Sequence, residues 1–360
     1  MGEYSQYISD QRREVATPAS LVNEGKASFG TFDKEFENLN LLDAKKPTHL
    51  ATCFNKIKLT RWEALEVHLD EGELVVGLCN MGVMATLATL FFDIRNSKLY
   101  SWSNTIPVKK AIIAQNLLNG HTTHTDHKNA MIKYINDFQE GKAEVNGAIK
   151  NKKTGEISFD FFLVRASKPS IVSIPFGPNR PLYTQKDLFK AEGSLTLNGE
   201  TFKCNENTYA VIDDHRGYYP RHAHYDWLTT MGKDKDGNPL GFNLTRNQSI
   251  DQEKYNENLI WLKNASSLLP PVVFKKSAPT KTFISAKETP IIWTVKDDHG
   301  MVNVNFRLTG VNKMIVHAGI IRIDYFVTFG VLDGYLLQED GKKIVLDGIQ
   351  GIGEDKTLLF

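Results

Sequence analysis

The sequence has few cysteines and almost no net charge. Its 360 residues include three cysteines, Cys53, Cys79 and Cys204, which lie too far apart for a CxxC metal knuckle. An odd number of cysteines also argues against a disulfide framework, so we expect a reducing compartment. The 43 basic and 42 acidic side chains leave a formal net charge of +1, which provides no general field to attract a polyanion. We therefore expect no nucleic-acid partner.

Signals for export, membrane insertion and nucleotide binding are also lacking. Residues 1–30 contain no apolar stretch of the secretory type, so we expect a cytoplasmic protein. Residues 74–92 are uncharged and nearly long enough for a membrane helix, but polar residues and glycines interrupt them, so we favour two buried strands joined at residues 80–82. No GxGxxG or GxxxxGK[ST] motif occurs. The sequence predicts neither an integral membrane segment nor a cofactor.

Residue pairs that favour tight turns are frequent, which is typical of antiparallel β proteins. Residues 194–203 and 301–308 alternate polar and apolar side chains, as half-buried strands do. Helical patterns are rare, and residues 128–139 fit either a short helix or a strand followed by a turn. The turn pairs are Asn146-Gly147, Thr154-Gly155, Asn198-Gly199, Asp236-Gly237, His299-Gly300, Asp333-Gly334 and Asp340-Gly341.

A weak internal repeat suggests two similar halves. In order, Trp62, Gly77 and residues 90–92 recur as Trp227, Gly241 and residues 259–261. Each copy would form one β-barrel or curled sheet, although chance similarity between two β-rich halves is an open alternative.

Prolines between residues 168 and 181 are unsuited to a central strand and suggest a boundary. The predicted organisation is a polar N-terminal lead (1–40), a first barrel-like half (41–167), a Pro-rich linker (168–190) and a second barrel-like half (191–360).

Ionisable and aromatic side chains are concentrated in residues 213–227. Burying such groups costs several kcal/mol unless each is paired, so a strand of this composition favours a functional role. Strand alternation would place His222, His224 and Asp226 on one face and Ala223, Tyr225 and Trp227 on the other. If the polar row faces a cavity, burial would raise the pKa of Asp226 and His224 would be its acid–base partner. The alternative is a structural network of salt bridges.

The candidate site residues fall into two groups. Arg216 would hold a substrate carboxylate or keep Asp214 ionised. Glu257 and Asn258 would cap a turn or form a cavity rim. The candidate catalytic residues are Asp214, Arg216, His224 and Asp226. The candidate substrate-binding residues are Tyr219, His222, Tyr225, Trp227, Glu257 and Asn258.

The histidines His121, His124 and His127 have a spacing that resembles a metal site. On a strand His124 would point opposite to the other two, so joint ligation would need a loop. We favour a solvated polar loop and predict no metal site.

The motifs of the central segment and of the C-terminus resemble the domain-of-unknown-function family 2804. The resemblance covers about residue 40 to the end of the chain. It rests on Asp214-His215-Arg216-Gly217-Tyr218-Tyr219-Pro220, Trp227, residues 256–258 and 269–272, and Gly351-Ile352-Gly353-Glu354.

That family is similar to the calycin-like group of double lipocalin-type barrels, which includes carotenoid 1,2-hydratase. The resemblance implies an all-β fold: two lipocalin-like antiparallel β-barrel halves, with few short helices, around a lipophilic cavity. It supplies no established catalytic residues.

Two functions agree with these features. The first is a cofactor-independent enzyme that acts on a lipophilic small molecule by acid–base chemistry, as a hydratase, isomerase or cyclase. The alternative is a non-catalytic binding protein for a fatty-acid-like or isoprenoid ligand, since barrels with a cavity serve either purpose. The sequence does not indicate the oligomeric state.

Overall fold

A computed structural model describes residues 8, 10–126, 129–234, 236–318 and 321–359. Strands dominate this part of the chain, which confirms the all-β prediction. The helices are short: an α-helical turn at Asn55–Lys58, and 3-10 turns at Leu41–Asp43, Thr52–Phe54, Val108–Lys110, Phe138–Glu140 and Thr280–Thr282.

The strands fall into an N-terminal group and two curled halves. The N-terminal strands are β1 (Glu14–Val15), β2 (Val22–Asn23), β3 (Lys26–Ala27) and β4 (Gly30–Phe32). The first half contains β5 (Thr60–Leu69), β6 (Gly72–Asn80), β7 (Ala85–Asp93), β8 (Lys98–Ile106), β9 (His121–Asp126), β10 (Ala130–Asp137), β11 (Lys142–Asn151), β12 (Gly155–Arg165), β13 (Ser170–Pro175), β14 (Pro181–Leu197), β15 (Glu200–Lys203) and β16 (Tyr209–Gly217). The second half contains β17 (His222–Lys233), β18 (Pro239–Arg246), β19 (Leu259–Leu262), β20 (Ala265–Leu268), β21 (Val273–Lys276), β22 (Ile292–Lys296), β23 (Val302–Ala318), β24 (Ile321–Leu337) and β25 (Lys343–Leu359).

The first half is a sheet that curls around its own apolar core. Its main path has the order β8-β7-β6-β5-β16-β14-β12-β11-β10-β9. Hydrogen bonds cross the curl: Tyr134 Oη in β10 donates to the Val76 carbonyl in β6, and Trp102 Nε1 in β8 donates to the Gly155 carbonyl in β12, both at 3.0 Å. Apolar side chains such as Leu65 fill the enclosed space, so this interior is a packed core.

The second half curls in the same way, with the order β20-β19-β18-β17-β25-β24-β23-β22-β21. Lys276 on the edge strand β21 donates to Asp226 on β17 across the curl. Phe242, Trp293 and Phe306 contribute to the core inside it. Alternation within residues 301–308 is confirmed, because Val302, Val304, Phe306 and Leu308 all belong to this core.

The order of strands repeats between the halves. In each half four successive strands form a meander whose first strand pairs with the last strand of that half, β5 with β16 and β17 with β25. Trp62 and Trp227 lie on these two first strands, and Gly77 and Gly241 lie on the two second strands. The sequence repeat therefore has a counterpart in the topology.

The two halves pack against each other through a shared apolar cluster. It joins side chains of the first half, such as Phe92 and Val211, to those of the second, such as Trp261 and Phe329. The rings of Phe92 and Phe329 stack with centroids 5.0 Å apart. This cluster fixes one half against the other and leaves the space beside it as a candidate cavity.

The predicted linker, residues 168–190, is instead part of the first sheet. Strands β13 and β14 pair as a hairpin, and β14 continues to Leu197 without a break. Pro175 and Pro181 close the hairpin, where a missing N–H is tolerated. The chain passes from one sheet to the other at residues 218–221, between β16 and β17. The prolines mark a turn, and the boundary lies about thirty residues later than the linker prediction.

Most of the predicted turn pairs lie between strands, but two lie inside them. Asn146-Gly147 is within β11, where Gly147 leaves room for the ring of Phe159. Asp333-Gly334 lies at a register shift in β24, with Gly334 at φ +131°. A glycine in a strand therefore serves a close approach or a bulge as readily as a turn.

The described residues of the N-terminal lead are folded onto the rest of the chain. Arg12 is buried, and its Nη1 donates to Asn256 Oδ1 at 2.8 Å and to the Asn258 carbonyl at 2.6 Å. Phe32 and Phe36 pack against Tyr183 and Tyr218 of the first half, among others. The lead thus attaches to both halves.

Residues 74–92 form the antiparallel pair β6 and β7, as predicted. No helix in the described ranges has the length and hydropathy that a membrane span requires. Of the ambiguous segment 128–139, residues 130–137 are strand β10, which supports the strand-and-turn alternative.

Candidate active site

A cavity of about 500 Å³ lies between the two halves. Strands β5 to β8 form one wall, and the ends of β23, β24 and β25 form the other. Met81, Met84, Val75 and Leu90 give the first wall its apolar character. The cavity opens to solvent near Ile315, a lining residue that is 52% exposed. Its size falls within the roughly 300–1,000 Å³ typical of small-molecule sites.

Strand alternation decides which side chains of β16 reach the cavity. Asp213 and His215 line it or the small pocket that adjoins it, whereas Asp214 and Arg216 project from the opposite face. Arg216 donates to Asp214 at 2.7 and 2.9 Å, and Arg216 Nη1 donates to the Gln115 carbonyl at 2.6 Å. The predicted catalytic residues Asp214 and Arg216 therefore form a buried ion pair away from the cavity.

The C-terminal strand β25 supplies the second wall with charged groups. Glu354 and Lys356 line the cavity, together with Leu358 at the next alternate position. Their cross-strand neighbours on β17 and β24 include Tyr225 and Tyr325. The Tyr325 hydroxyl donates to Glu354 Oε1.

Two carboxyl groups facing this cavity resist ionisation. Burial, followed by the charges of Asp213 and Glu354, raises the pKa of Glu66 well above its ordinary value. No hydrogen bond from the described part of the chain reaches Glu66 Oε2. Burial also raises the pKa of Glu354, although Lys356 and the Tyr325 hydroxyl oppose that rise. Both carboxyls are thus biased toward the protonated acid.

An ionised network closes the inner end of the site. Lys186 Nζ lies 2.5 Å from Glu257 Oε2 and 3.4 Å from Asp213 Oδ1, and His215 Nε2 lies 3.0 Å from Asp213 Oδ1. Burial opposes the charge on Asp213, but His215 and Lys186 outweigh it and lower the pKa of that carboxyl. Burial is likewise outweighed at Glu257, whose pKa is lowered by Lys186 and His215.

This network surrounds a pocket of about 30 Å³, which adjoins the larger cavity. Trp62 separates the two spaces and stacks on His215 with ring centroids 4.4 Å apart. Tyr219 also stacks on Trp62, with ring centroids 5.9 Å apart. A volume of this size accommodates about one water molecule among polar partners.

The aromatic residues predicted to bind substrate lie at the site. Tyr219 and Tyr225 line both spaces, and Trp227 lines the small pocket. Glu257 also lines the small pocket. The other two predicted binding residues are elsewhere: His222 is exposed, and Asn258 holds backbone groups of residues 245 and 270.

The predicted pair His224 and Asp226 exists but does not line the cavity. His224 Nε2 lies 3.3 Å from Asp226 Oδ2, on the face of β17 opposite to Tyr225 and Trp227. Burial favours protonation of Asp226, but the hydrogen bond with His224 and the charge of Lys276 outweigh it and lower the pKa. The expectation of a raised pKa is therefore wrong, because Lys276 compensates the buried charge.

The geometry of this pair also bears on metal binding. His224, Asp226 and Asp355 each place a potential ligand atom within 4.8 Å of the others. The Lys276 ammonium contacts Asp226 and lies 2.8 Å from Asp355 Oδ2, so a cation of the protein already occupies this position. The separate histidine group is not a loop: His121 and His124 lie on β9, and His127 lies outside the described residues.

Sequence reasoning missed Glu66, Lys186 and Lys356. Each lies outside the segment 213–227 in the sequence, and only folding brings it near that segment. A usable signal for Lys356 was the pair of charged residues at alternate positions, Glu354 and Lys356, directly after the glycine-rich run of residues 348–353.

Kievitone hydratase and CghA are two proteins whose solved structures have a similar fold. Kievitone hydratase from Nectria haematococca shares 12% sequence identity, with a TM-score of 0.48, over 85% of this chain and 90% of that one. CghA with Sch210972 shares 9% identity, with a TM-score of 0.49, over 84% of this chain and 89% of that one. Likeness at this level carries no inference about reaction or site residues.

Curated protein sequences include no match to the chain. The profile of a protein family, by contrast, matches residues 12–360. Because this match spans nearly the whole sequence, the chain belongs to the domain of unknown function family DUF2804.

Proposed function

We propose that the protein is an enzyme that acts on a lipophilic small molecule by acid–base chemistry, as a hydratase, isomerase or cyclase. The observation that carries this proposal is a pair of carboxyl groups, Glu66 and Glu354, facing one largely apolar cavity. Their environments favour the neutral acid, while Asp213 and Glu257 nearby are kept ionised. Carboxyl groups whose pKa values are driven apart are characteristic of general acids and bases.

Glu354 is the better placed proton donor. Its carboxyl faces the cavity, and the Tyr325 hydroxyl, which donates to Oε1, holds it in position. Burial raises the pKa of Glu354, so this carboxyl keeps its proton to higher pH than an ordinary glutamate does. Glu66 is the second candidate, and its Oε2 accepts no hydrogen bond from the described residues.

The proposed step conserves protons and electrons. The O–H bond of the Glu354 carboxyl breaks as a C–H or O–H bond forms at a double bond or carbonyl of the substrate. The resulting carboxylate then accepts a proton from another carbon, which gives isomerisation or cyclisation, or from an attacking water, which gives hydration. All three outcomes use the same groups and need no redox partner.

The aromatic lining would position the substrate. Trp62, Tyr219 and Tyr225 present flat faces beside the acid, and such surfaces bury apolar area with little loss of side-chain freedom. Excluding water here strengthens the electrostatic interactions of the acid with the substrate. The predicted binding roles of Tyr219, Tyr225 and Trp227 are kept in this proposal, whereas the catalytic roles of Asp214, Arg216, His224 and Asp226 are replaced.

Non-catalytic binding of a fatty-acid-like or isoprenoid ligand is the second candidate. The observation that favours it is the extent of the apolar wall, which includes Val75, Met84, Leu90 and Val327. A binding protein would release its ligand chemically unchanged.

Solvent deuterium distinguishes these functions. The protein is incubated in D₂O with a lipid extract of the producing cells, and the lipophiles are analysed by mass spectrometry. Proton transfer to carbon, or hydration, places deuterium in one lipophile, and Glu354→Gln lowers the rate of this labelling at least about 100-fold, as removing a general acid does.

The matched variant is Asp226→Asn, which alters a carboxylate outside the cavity and is expected to keep labelling within about threefold. Labelling that persists in Glu354→Gln but is lost in Asp226→Asn would return the catalytic role to the pair of Asp226 and His224. A ligand that binds the wild-type protein, gains no deuterium and is recovered with its chemical structure unchanged would establish the binding function.

A further inference from the structure

A lysine inside the cavity is surrounded by aromatic rings. Lys356 lies on the central strand β25, opposite Tyr225 of β17 on one side and Tyr325 of β24 on the other. Its Nζ is 4.4 Å from the ring centroid of Tyr325, 5.4 Å from that of Trp62 and 5.5 Å from that of Tyr225. Ring faces at such distances attract a cation.

The other lysines near the site differ from Lys356 in their partners. Lys186 is paired with Glu257, and Lys276 is paired with Asp226 and Asp355. Among the described residues no carboxylate oxygen lies within 4.0 Å of Lys356 Nζ. Cation–π contacts hold an ammonium group in place but leave its charge uncompensated.

The nearest ionisable group on the same face of β25 is Glu354, two residues away. Burial raises the pKa of this carboxyl and so reduces the negative charge beside Lys356. The Tyr325 hydroxyl donates a hydrogen bond to Glu354 Oε1, so Glu354 has a partner other than Lys356. The cation thus faces the cavity, with the protonated form of its neighbour favoured.

We propose that Lys356 binds an anionic group of the substrate, so that the cavity selects lipophilic acids over neutral lipophiles of the same shape. This inference rests on the proposed function, because it assumes that the cavity holds a lipophile. An anion in water-poor surroundings forms a strong, charge-assisted bond with an ammonium group. The apolar body of the molecule would then extend along the wall that contains Met81, Met84 and Leu90.

The position of Lys356 also limits where the chemistry occurs. Glu354 and Lys356 are alternate residues of one strand, so their side chains emerge on the same face, one strand repeat apart. A substrate whose anionic group is bound to Lys356 would present to Glu354 a bond close to that group. The reacting double bond or carbonyl would therefore lie near the acidic end of the molecule.

Two fluorescent probes that differ in a single anionic group test this inference. They are 1-anilinonaphthalene-8-sulfonate and its neutral counterpart N-phenyl-1-naphthylamine. We expect the full-length protein to bind the sulfonate more tightly. Lys356→Met should weaken the sulfonate about tenfold and change the neutral probe less than about twofold, because only the charge-assisted bond is lost. Lys356→Arg should restore the preference.

The matched control is Lys343→Met. Lys343 lies on the same strand, 4.2 Å from the ring of Tyr335, but outside the cavity, so neither affinity should change. If Lys356→Met weakens the binding of both probes equally, or of neither, the proposed selection of acids is overturned. Failure of both probes to bind the wild-type protein would instead contradict the proposed lipophile site itself.

Discussion

Several carboxyl groups of this protein lie where burial opposes their ionisation. Besides Glu66 and Glu354 at the cavity, Glu63 lies on the other face of β5, inside the first half. Thr122 and Asn136 donate hydrogen bonds to Glu63, but burial and the charge of Asp214 prevail and raise its pKa to about 7. The free energy of unfolding therefore depends on pH through this residue.

Replacing Glu63 with glutamine tests this dependence. Between pH 4.5, the ordinary value, and about pH 7, the folded chain keeps a proton that the unfolded chain has released, so raising the pH lowers the free energy of unfolding. Because glutamine does not titrate, Glu63→Gln removes this fall in the free energy of unfolding with pH. The stability of the variant relative to wild type should rise by about 3 kcal/mol from pH 4.5 to pH 8, as measured by urea unfolding at both pH values.

The exposed Glu144 provides the control for this measurement. Glu144→Gln should leave the difference between pH 4.5 and pH 8 as it is in the wild type. A Glu63→Gln protein whose relative stability stays constant, or falls, across this range would show that Glu63 is ionised in the folded chain.

The sequence predicts which types of residue belong to the site better than it predicts which residues lie together in space. The aromatic members of the site, Tyr219, Tyr225 and Trp227, stand out in one short segment. The acid and the lysine of the proposed site come from β25, more than a hundred residues later. A local pattern carries no information on which distant strand will face it, because that depends on the curl and pairing of the sheets.

At the level of strands, alternation decides which side chains share the face that meets the cavity. The alternation predicted for residues 222–227 is correct, but the row facing the cavity is that of Tyr225 and Trp227. Hydrophobic alternation fixes which side chains share a face. It does not tell whether that face lies inside one half or between two halves, so the sequence left open whether the polar row of His224 and Asp226 faces a cavity.

One long strand contains a glycine whose backbone conformation and close approach to the facing strand exclude a side chain. Gly193 in β14 has φ +122°, and a Cβ at this position would lie 2.0 Å from the Asp160 carbonyl oxygen. We expect Gly193→Ala to destabilise the protein by about 2–4 kcal/mol, from backbone strain and from the contact with the facing strand. Chemical denaturation would measure the change.

Gly232 in β17 is the matched position, since its φ is not positive and a Cβ added there would have no atom within 4 Å. Gly232→Ala should alter stability by less than about 0.5 kcal/mol. Similar values for the two variants would mean that the backbone conformation and close contact at Gly193 contribute nothing specific to the first half.

At the level of the whole molecule, the two halves have filled interiors and the functional space lies between them. The apolar clusters inside the curls leave the cavity to the outer faces of β5 to β8 and of β23 to β25. The repeated topology brings the first strands of the two halves, with Trp62 and Trp227, to this interface. A duplicated barrel can thus form a site that neither copy contains alone. A cytoplasmic location remains a prediction.

The position of a bound lipophile tests this account most directly. We would determine a crystal structure of the full-length protein with 1-anilinonaphthalene-8-sulfonate. The account predicts the naphthalene rings between the halves, against Trp62 and Tyr225, with the sulfonate at Lys356 and beside Glu354. A probe bound inside either curled sheet, or against His224 and Asp226, would contradict it.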